Sequence, residues 1–153
     1  LNGQAELGFI EGEIDAPALH VRLVARDAMM VVTDRKHPFA DGHPLSDTDL
    51  AAAKWVMREA GSGTRAALMD ALAGRGLAQA DLTIALELPS NEAVVSAIRG
   101  TSGVAAVSGA VVAPLIARGD LVAVNMSLPV RHFYALHHKE RRLSKAADVL
   151  LGL

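Results

Sequence analysis

The alternation of short apolar runs with longer segments of helical spacing restricts the fold of this chain more than any other feature of its sequence. Residues 29–33 and 104–107 are almost entirely apolar, as expected of strands buried on both faces. Residues 64–75 instead carry apolar side chains three or four positions apart, the spacing of a helix with one buried side. This alternation predicts an α/β fold with a mostly parallel sheet. The other predicted strands are residues 20–24, 55–57, 82–88, 121–124 and 132–136.

Serine residues precede several of the predicted helices. A hydroxyl just before a helix accepts a hydrogen bond from a backbone N–H of its first turn, so serine is favoured there. Pro114 falls inside one of these helices, residues 110–118, and is predicted to bend or shorten it because proline lacks the N–H. The predicted caps are Ser46 or Asp47, Ser90, Ser108 and Ser144.

Composition excludes several classes of protein. Lys and Arg number 15 against 17 for Asp and Glu, a net charge of -2 that does not suit a strongly basic nucleic-acid module. Cysteine is absent, which excludes disulfides and Cys-ligated metal sites. The longest nearly uncharged run, residues 100–117, contains glycines and Pro114 and is not a predicted membrane span. A chain of 153 residues fits one domain by its length.

Residues 58–65, Arg-Glu-Ala-Gly-Ser-Gly-Thr-Arg, form the most informative stretch, because they join a predicted strand to a predicted helix. Its glycines allow close approach of the backbone to a ligand, Ser62 and Thr64 offer hydroxyl groups, and unpaired N–H groups at a helix start favour an anion. The stretch lacks the Gly-Lys-Ser/Thr ending of a phosphate-binding loop and the third glycine of a dinucleotide fingerprint. An anion site and a helix start without ligand both remain open.

Other chemistry-bearing residues do not form a recognisable site. His37 and His43 flank a loop without a third ligand at metal-binding spacing, so turn chemistry is favoured there. Residues 137–142 are basic but lack interleaved aromatic side chains, which favours a solvated turn. Glu11 and Glu13 are favoured as solvent-facing rather than catalytic. The sequence thus predicts no catalytic residue, no metal site and no cofactor.

Several segments, in order along the chain, resemble the effector-binding domain of LysR-type transcriptional regulators. Residues 57–65 are similar to an Arg-Glu-Pro-Gly-Ser-Gly-Thr-Arg stretch of that family, with Ala60 in place of the proline. The other similar segments are residues 5–12, 91–98, 103–108 and 131–147.

The resemblance implies a two-lobed fold like that of type 2 periplasmic binding proteins, with one complete lobe and part of a second. Residues 27–126 would form lobe II, and residues 1–26 and 127–153 the remainder of lobe I. A winged helix-turn-helix domain would precede Leu1, so the chain is expected to be an N-terminally truncated effector domain. The incomplete lobe is expected to expose a sheet edge, which favours dimerisation or swapping.

The resemblance also implies a function and a site. The chain would be a non-enzymatic, cytoplasmic sensor of a small anionic or carboxylate-bearing effector, a homodimer that contacts DNA only through the preceding domain. A solute-binding protein of a transport system and a small phosphate-ester enzyme that uses Ser62 or Thr64 are the alternatives. The effector-binding residues implied by the resemblance are Ile10, Glu11, Ser62, Gly63, Thr64, Arg65, Val107 and Ser108.

Overall fold

The computed structural model describes residues 5–12 and 14–152, so Glu13 lies outside the described residues. Strands and helices alternate along most of this length, which confirms the α/β class. The strands are β1 (Gly8–Glu11), β2 (Leu19–Asp34), β3 (Lys54–Arg58), β4 (Thr83–Leu88), β5 (Gly103–Ser108) and β6 (Leu121–His138). The α-helices are α1 (Asp47–Ala52), α2 (Gly63–Ala73), α3 (Asn91–Ile98), α4 (Gly109–Ala117) and α5 (Lys145–Gly152).

The chain divides into two compact units. Unit 1 comprises Leu1–Asp27 and Val130–Leu153, and unit 2 comprises Ala28–Pro129. Strands β2 and β6 each contribute residues to both units. No helix in the described part of the chain has the length and hydropathy of a membrane span.

The sheet of unit 2 is mixed. Strand β3 pairs in parallel with both β4 and β5, whereas β5 pairs antiparallel with β2. The expectation of a mostly parallel sheet therefore holds only for β3, β4 and β5. Residues 29–33 are almost entirely apolar because both faces of β2 are covered there. Burial on both faces produces the same pattern whichever way the neighbouring strand runs.

Helices cover both faces of the unit 2 sheet. Successive side chains of a strand point to opposite faces, so Val31, Trp55 and Val104 pack on one side and Val32, Val56 and Ala105 on the other. The first face packs against α1 and α2 through Leu50, Leu68 and Leu72, and the second against α3 and α4 through Val94, Ile98 and Val112.

Three of the predicted helix caps are present. Ser46 forms a reciprocal capping box with Asp49 at α1, and the Ser90 hydroxyl accepts from the N–H of Ala93 at 3.1 Å. Ser144 accepts from the N–H of Ala147 at 3.3 Å. Ser108 stands at the start of α4 but makes no side-chain cap bond to it.

Pro114 does not end helix α4. The helix continues to Ala117, and the N–H of Arg118 donates to the Pro114 carbonyl at 3.3 Å. Helix α4 spans nine residues, as many as the predicted helix 110–118, so the expected shortening does not occur.

Strands β2 and β6 each join two runs that the sequence pattern separates, because ion pairs accommodate the intervening charges. In unit 1 the Arg131 guanidinium donates to the Asp27 carboxylate, with Nη2 and Oδ2 2.5 Å apart, and to the Glu11 carboxylate at 3.2 Å. The side chains of Asp27 and Arg131 are each only 12% exposed. A paired charge can remain inside a strand that hydropathy alone would interrupt.

Unit 1 has far less apolar burial than unit 2. Its buried apolar residues within the described part of the chain are Ala135, Leu136 and Ala147. Large apolar side chains of the same unit are exposed, among them Phe9, which is 55% exposed, and Val149, which is 67% exposed. The structure thus contains about one lobe with a full core and part of a second.

Candidate functional site

The loop between β3 and α2 is held at both ends by backbone hydrogen bonds. The N–H of Glu59 donates to the Leu88 carbonyl at 3.1 Å, and the N–H of Ser62 donates to the Glu59 carbonyl at 3.2 Å. Gly61 between them has φ of 90°, a left-handed conformation that a residue with a side chain rarely adopts. The chain therefore turns sharply here and delivers Ser62 to the start of the helix.

Helix α2 begins with donors that the described protein does not use. Ser62 occupies the cap position, but its hydroxyl makes no cap hydrogen bond. The backbone N–H groups of Gly63, Thr64 and Arg65 have no acceptor among the described residues. At α1 and α3, by contrast, a serine hydroxyl fills the corresponding place.

Thr64 adds a hydroxyl at the same point. The residue is only 4% exposed, and no described residue forms a hydrogen bond with its side chain. A ligand that accepted a hydrogen bond from this hydroxyl would gain about 0.5–1.5 kcal/mol, the usual net value of such a bond. The helix dipole adds about 0.3–1 kcal/mol for an anion.

The nearest arginine before the loop is neutralised by its neighbour. Arg58 forms two hydrogen bonds of 2.8 Å with the Glu59 carboxylate and donates to Asn91 Oδ1 at 3.1 Å. These hydrogen bonds from Arg58 lower the pKa of Glu59 to about 2. The pair therefore keeps its charges over the whole physiological range and contributes no net charge to the start of α2.

Arg65 points its guanidinium at protein groups. It donates to the Arg58 carbonyl at 3.2 Å, to Gln79 Oε1 at 3.2 Å and to the Glu87 carboxylate. Its side chain is 10% exposed. Arg65 thus fastens the loop to β4 and to the turn near Gln79, and its charge is balanced by Glu87.

Val107 and Ser108, the last two residues of β5, differ in which of their atoms a ligand could contact. Val107 is fully buried among the side chains under α3 and α4, so only its backbone could face a ligand. Ser108 is 9% exposed and lies at the carboxyl end of β5. Because β3 and β5 are parallel, Ser108 and the β3–α2 loop lie at the same edge of the sheet.

Ile10 and Glu11 belong to unit 1. They lie in β1, which pairs antiparallel with β6, and Glu11 accepts a hydrogen bond from Arg131 at 3.2 Å. The Glu11 carboxylate is thus already engaged by a cation of its own unit.

The histidine loop is held by local hydrogen bonds. His37 Nδ1 accepts from the N–H of Phe39 at 3.0 Å and caps a short 3-10 helix, Pro38–Asp41. His43 Nδ1 lies 2.5 Å from the Asp41 carboxylate. Within residues 5–12 and 14–152 no group of three or more potential metal ligands occurs.

Several residues around the start of α2 were not predicted from the sequence. Asn91, Gln79 and Glu87 contact the two arginines from positions 14 to 33 residues away in the chain. The spacing of residues along the sequence does not indicate such contacts. The adjacency of Arg58 and Glu59 was visible, but nothing in the sequence distinguishes an ion pair from two solvated side chains.

Burial of His37 predicts an acid-sensitive contribution to stability. Desolvation lowers the pKa of His37 in the folded chain, an effect partly offset by its hydrogen bond to the Ser102 backbone and by Asp34. The unfolded chain therefore takes up the proton first, and stability falls as the pH drops below the ordinary histidine pKa of about 6.5.

The variant His37→Asn tests this dependence, because asparagine can still cap the 3-10 helix but does not titrate. We expect the free energy of unfolding of the variant to change less than that of the parent between pH 7 and pH 5. Urea unfolding at each pH measures the difference. Equal pH profiles for the two proteins would contradict the role given to His37.

Known proteins resemble this chain along most of its length. A family model described as LysR substrate binding domain matches residues 1–153. The HTH-type transcriptional regulator YeiE of Escherichia coli K12 is 32% identical over 148 residues, which cover 95% of this chain and 49% of YeiE. CysL of Bacillus subtilis, also an HTH-type regulator, is 30% identical over 136 residues, which cover 89% of this chain and 43% of CysL. The chain thus spans about half the length of these curated relatives.

Solved structures of regulatory domains also resemble this chain. The regulatory domain of CcmR from Synechocystis PCC6803 in complex with 2-PG superimposes with a TM-score of 0.81 at 25% identity, covering 99% of this chain and 72% of that domain. The effector binding domain of QuiR in complex with shikimate has a TM-score of 0.71 at 16% identity, with 94% and 66% covered. This second likeness is one of fold.

Proposed function

The chain belongs to the LysR substrate-binding domain family of transcriptional regulators, and from this premise we propose that it holds a small anionic effector at the start of α2. The observation that carries the proposal is the set of unused donors there: the Ser62 and Thr64 hydroxyls and the backbone N–H groups of Gly63, Thr64 and Arg65. Several N–H and O–H donors converging on a helix start suit an anion.

The donors also suggest how the effector is bound. Arg58 and Arg65 are each paired with a carboxylate, so the start of α2 offers neutral donors rather than a free cation. Arg65 then serves to position the loop, and Ser108 contributes from the same edge of the sheet. That Ile10, Glu11 and Val107 contact the effector stays a prediction from the resemblance to the family.

The family match favours a regulator over a solute-binding protein of a transport system. The relatives named above are HTH-type transcriptional regulators. We expect the chain to act in the cytoplasm as the effector-sensing part of such a regulator, as a homodimer, with DNA contacted by a helix-turn-helix domain. Unit 2 would correspond to lobe II, and unit 1 would correspond to the remainder of lobe I.

A matched pair of serine substitutions tests the site. Ser62→Ala removes a hydroxyl that makes no cap bond, so we expect little loss of stability but about a tenfold loss of effector affinity, the value of one hydrogen bond to a charged group. Ser90→Ala removes a hydroxyl that caps α3, so we expect a loss of about 0.5–2 kcal/mol in stability and no change in affinity.

Calorimetry against small carboxylates and phosphate esters, beginning with 2-PG because the CcmR domain holds it, measures affinity, and urea unfolding measures stability. The proposal is wrong if a compound from this panel binds the Ser62→Ala variant as tightly as the parent. Loss of affinity in the Ser90→Ala variant alone would contradict it equally.

A further inference from the structure

A cavity of about 360 Å³ opens in unit 2, away from the start of α2. Two short segments line it: residues 34–38, at and after the end of β2, and residues 100–102, just before β5. Strand β5 runs away from these segments to Ser108, and β3 is parallel to it. The cavity and the start of α2 therefore lie at opposite edges of the same sheet.

Hydrogen bonds tie the two walls of the cavity together. The carboxylate of Asp34 accepts from the N–H of Lys36 at 3.0 Å and from the N–H of Gly100 at 2.7 Å. Next to this contact, the Thr33 hydroxyl donates to the Gly103 carbonyl at 2.8 Å and joins the end of β2 to the start of β5. A cavity whose walls are fixed in this way needs little reorganisation to bind a ligand.

The lining carries excess positive charge. Arg35 and Lys36 are exposed, and neither side chain has an ion-pair or hydrogen-bond partner in the described part of the chain. The negative charge of Asp34 is already stabilised by two backbone N–H groups. His37 accepts a hydrogen bond at Nδ1, which holds it in the neutral form. The Ser102 hydroxyl has no partner among the described residues.

We propose that this cavity is a second anion site, which binds the phosphate group of a small molecule. Arginine and lysine are the usual partners of phosphate, and a serine hydroxyl supplies a further donor. A volume of about 360 Å³ is at the small end of ligand sites, which suits a phosphate with at most a short carbon skeleton. Free inorganic phosphate and a phosphorylated metabolite share this chemistry.

The test separates this site from the start of α2 by blocking the latter with Ser62→Asp. Equilibrium dialysis of the full chain carrying that substitution is run with labelled inorganic phosphate and, in parallel, with glycerol phosphate. We expect saturable binding of at least one of them, weakened about tenfold or more by Arg35→Gln with Lys36→Gln. Tighter binding of glycerol phosphate would identify a metabolite, and equal binding would identify the inorganic ion.

The control pair Lys139→Gln with Arg142→Gln removes the same charge from exposed positions of unit 1 and is expected to leave binding unchanged. The proposal is overturned if no saturable binding occurs up to about 10 mM of either probe, a concentration that would reveal a dissociation constant near 1 mM. It is overturned equally if the control pair weakens binding as much as the Arg35 and Lys36 substitutions do.

Discussion

Replacing Arg131 by alanine is expected to destabilise unit 1 by about 3 kcal/mol, the effect of removing one partner from a largely buried ion pair. The Arg131 side chain, 12% exposed, serves two carboxylates, those of Asp27 and Glu11, and lies 5.5 Å from the ring centroid of Phe133. Alanine leaves the mostly buried Asp27 carboxylate without its arginine. Hydrogen exchange at the backbone N–H groups of Ala135 and Leu136 reports the loss.

Two controls separate the ion pair from a general effect of losing an arginine. Arg142→Ala removes an exposed arginine of the same unit and should change stability by no more than about 0.5 kcal/mol. The double variant Arg131→Met with Asp27→Asn removes both charges and should recover part of the loss. Fluorescence of Trp55, the one tryptophan of the chain, reports unit 2 separately. Equal effects of Arg131→Ala and Arg142→Ala would show that the ion pair does not stabilise the strands.

Ser62→Asp is expected to make the protein more stable while it weakens effector binding roughly a hundredfold. An aspartate at this position can accept hydrogen bonds from the N–H groups that Ser62 leaves unused, and its charge is favourable at the positive end of α2. We expect a gain of about 1 kcal/mol in stability from these two effects. The effector then meets occupied donors and a like charge, so its affinity should fall roughly a hundredfold, the value of one or two hydrogen bonds to a charged group.

Ser90→Asp provides the matched control. Ser90 already caps α3, so aspartate replaces one cap with another and should leave both stability and effector affinity nearly unchanged. Urea unfolding and calorimetry on both variants measure the two quantities. If Ser62→Asp binds an anion from the panel as tightly as the parent, the ligand does not lie at the start of α2.

Much of unit 2 could be predicted from its sequence because its signals are local. Ser46 and Ser90 precede helices and cap them, and the apolar residues of β2 and β5 mark strands buried on both faces. The turn at Gly61 and the donors of Ser62 and Thr64 likewise lie within one short stretch of chain. Each of these features depends on neighbours a few residues apart.

The remaining features depend on contacts between distant parts of the chain. Arg131 and Asp27 are 104 positions apart, and without their pairing the charges within β2 and β6 look like strand ends. Arg65 meets Glu87 across 22 positions, which a motif match cannot show. Val107 fits the family segment by position, but burial under α3 and α4 removes its side chain from the edge of the sheet.

The proposed site is tested most directly by an NMR titration of the chain with the tightest-binding compound of the calorimetric panel. We expect the backbone N–H resonances of Gly63, Thr64 and Arg65 to shift together, with the dissociation constant that calorimetry gives. Ser62→Asp should raise that dissociation constant roughly a hundredfold. If the compound binds with the same affinity while these three resonances stay unchanged, the start of α2 is not the effector site.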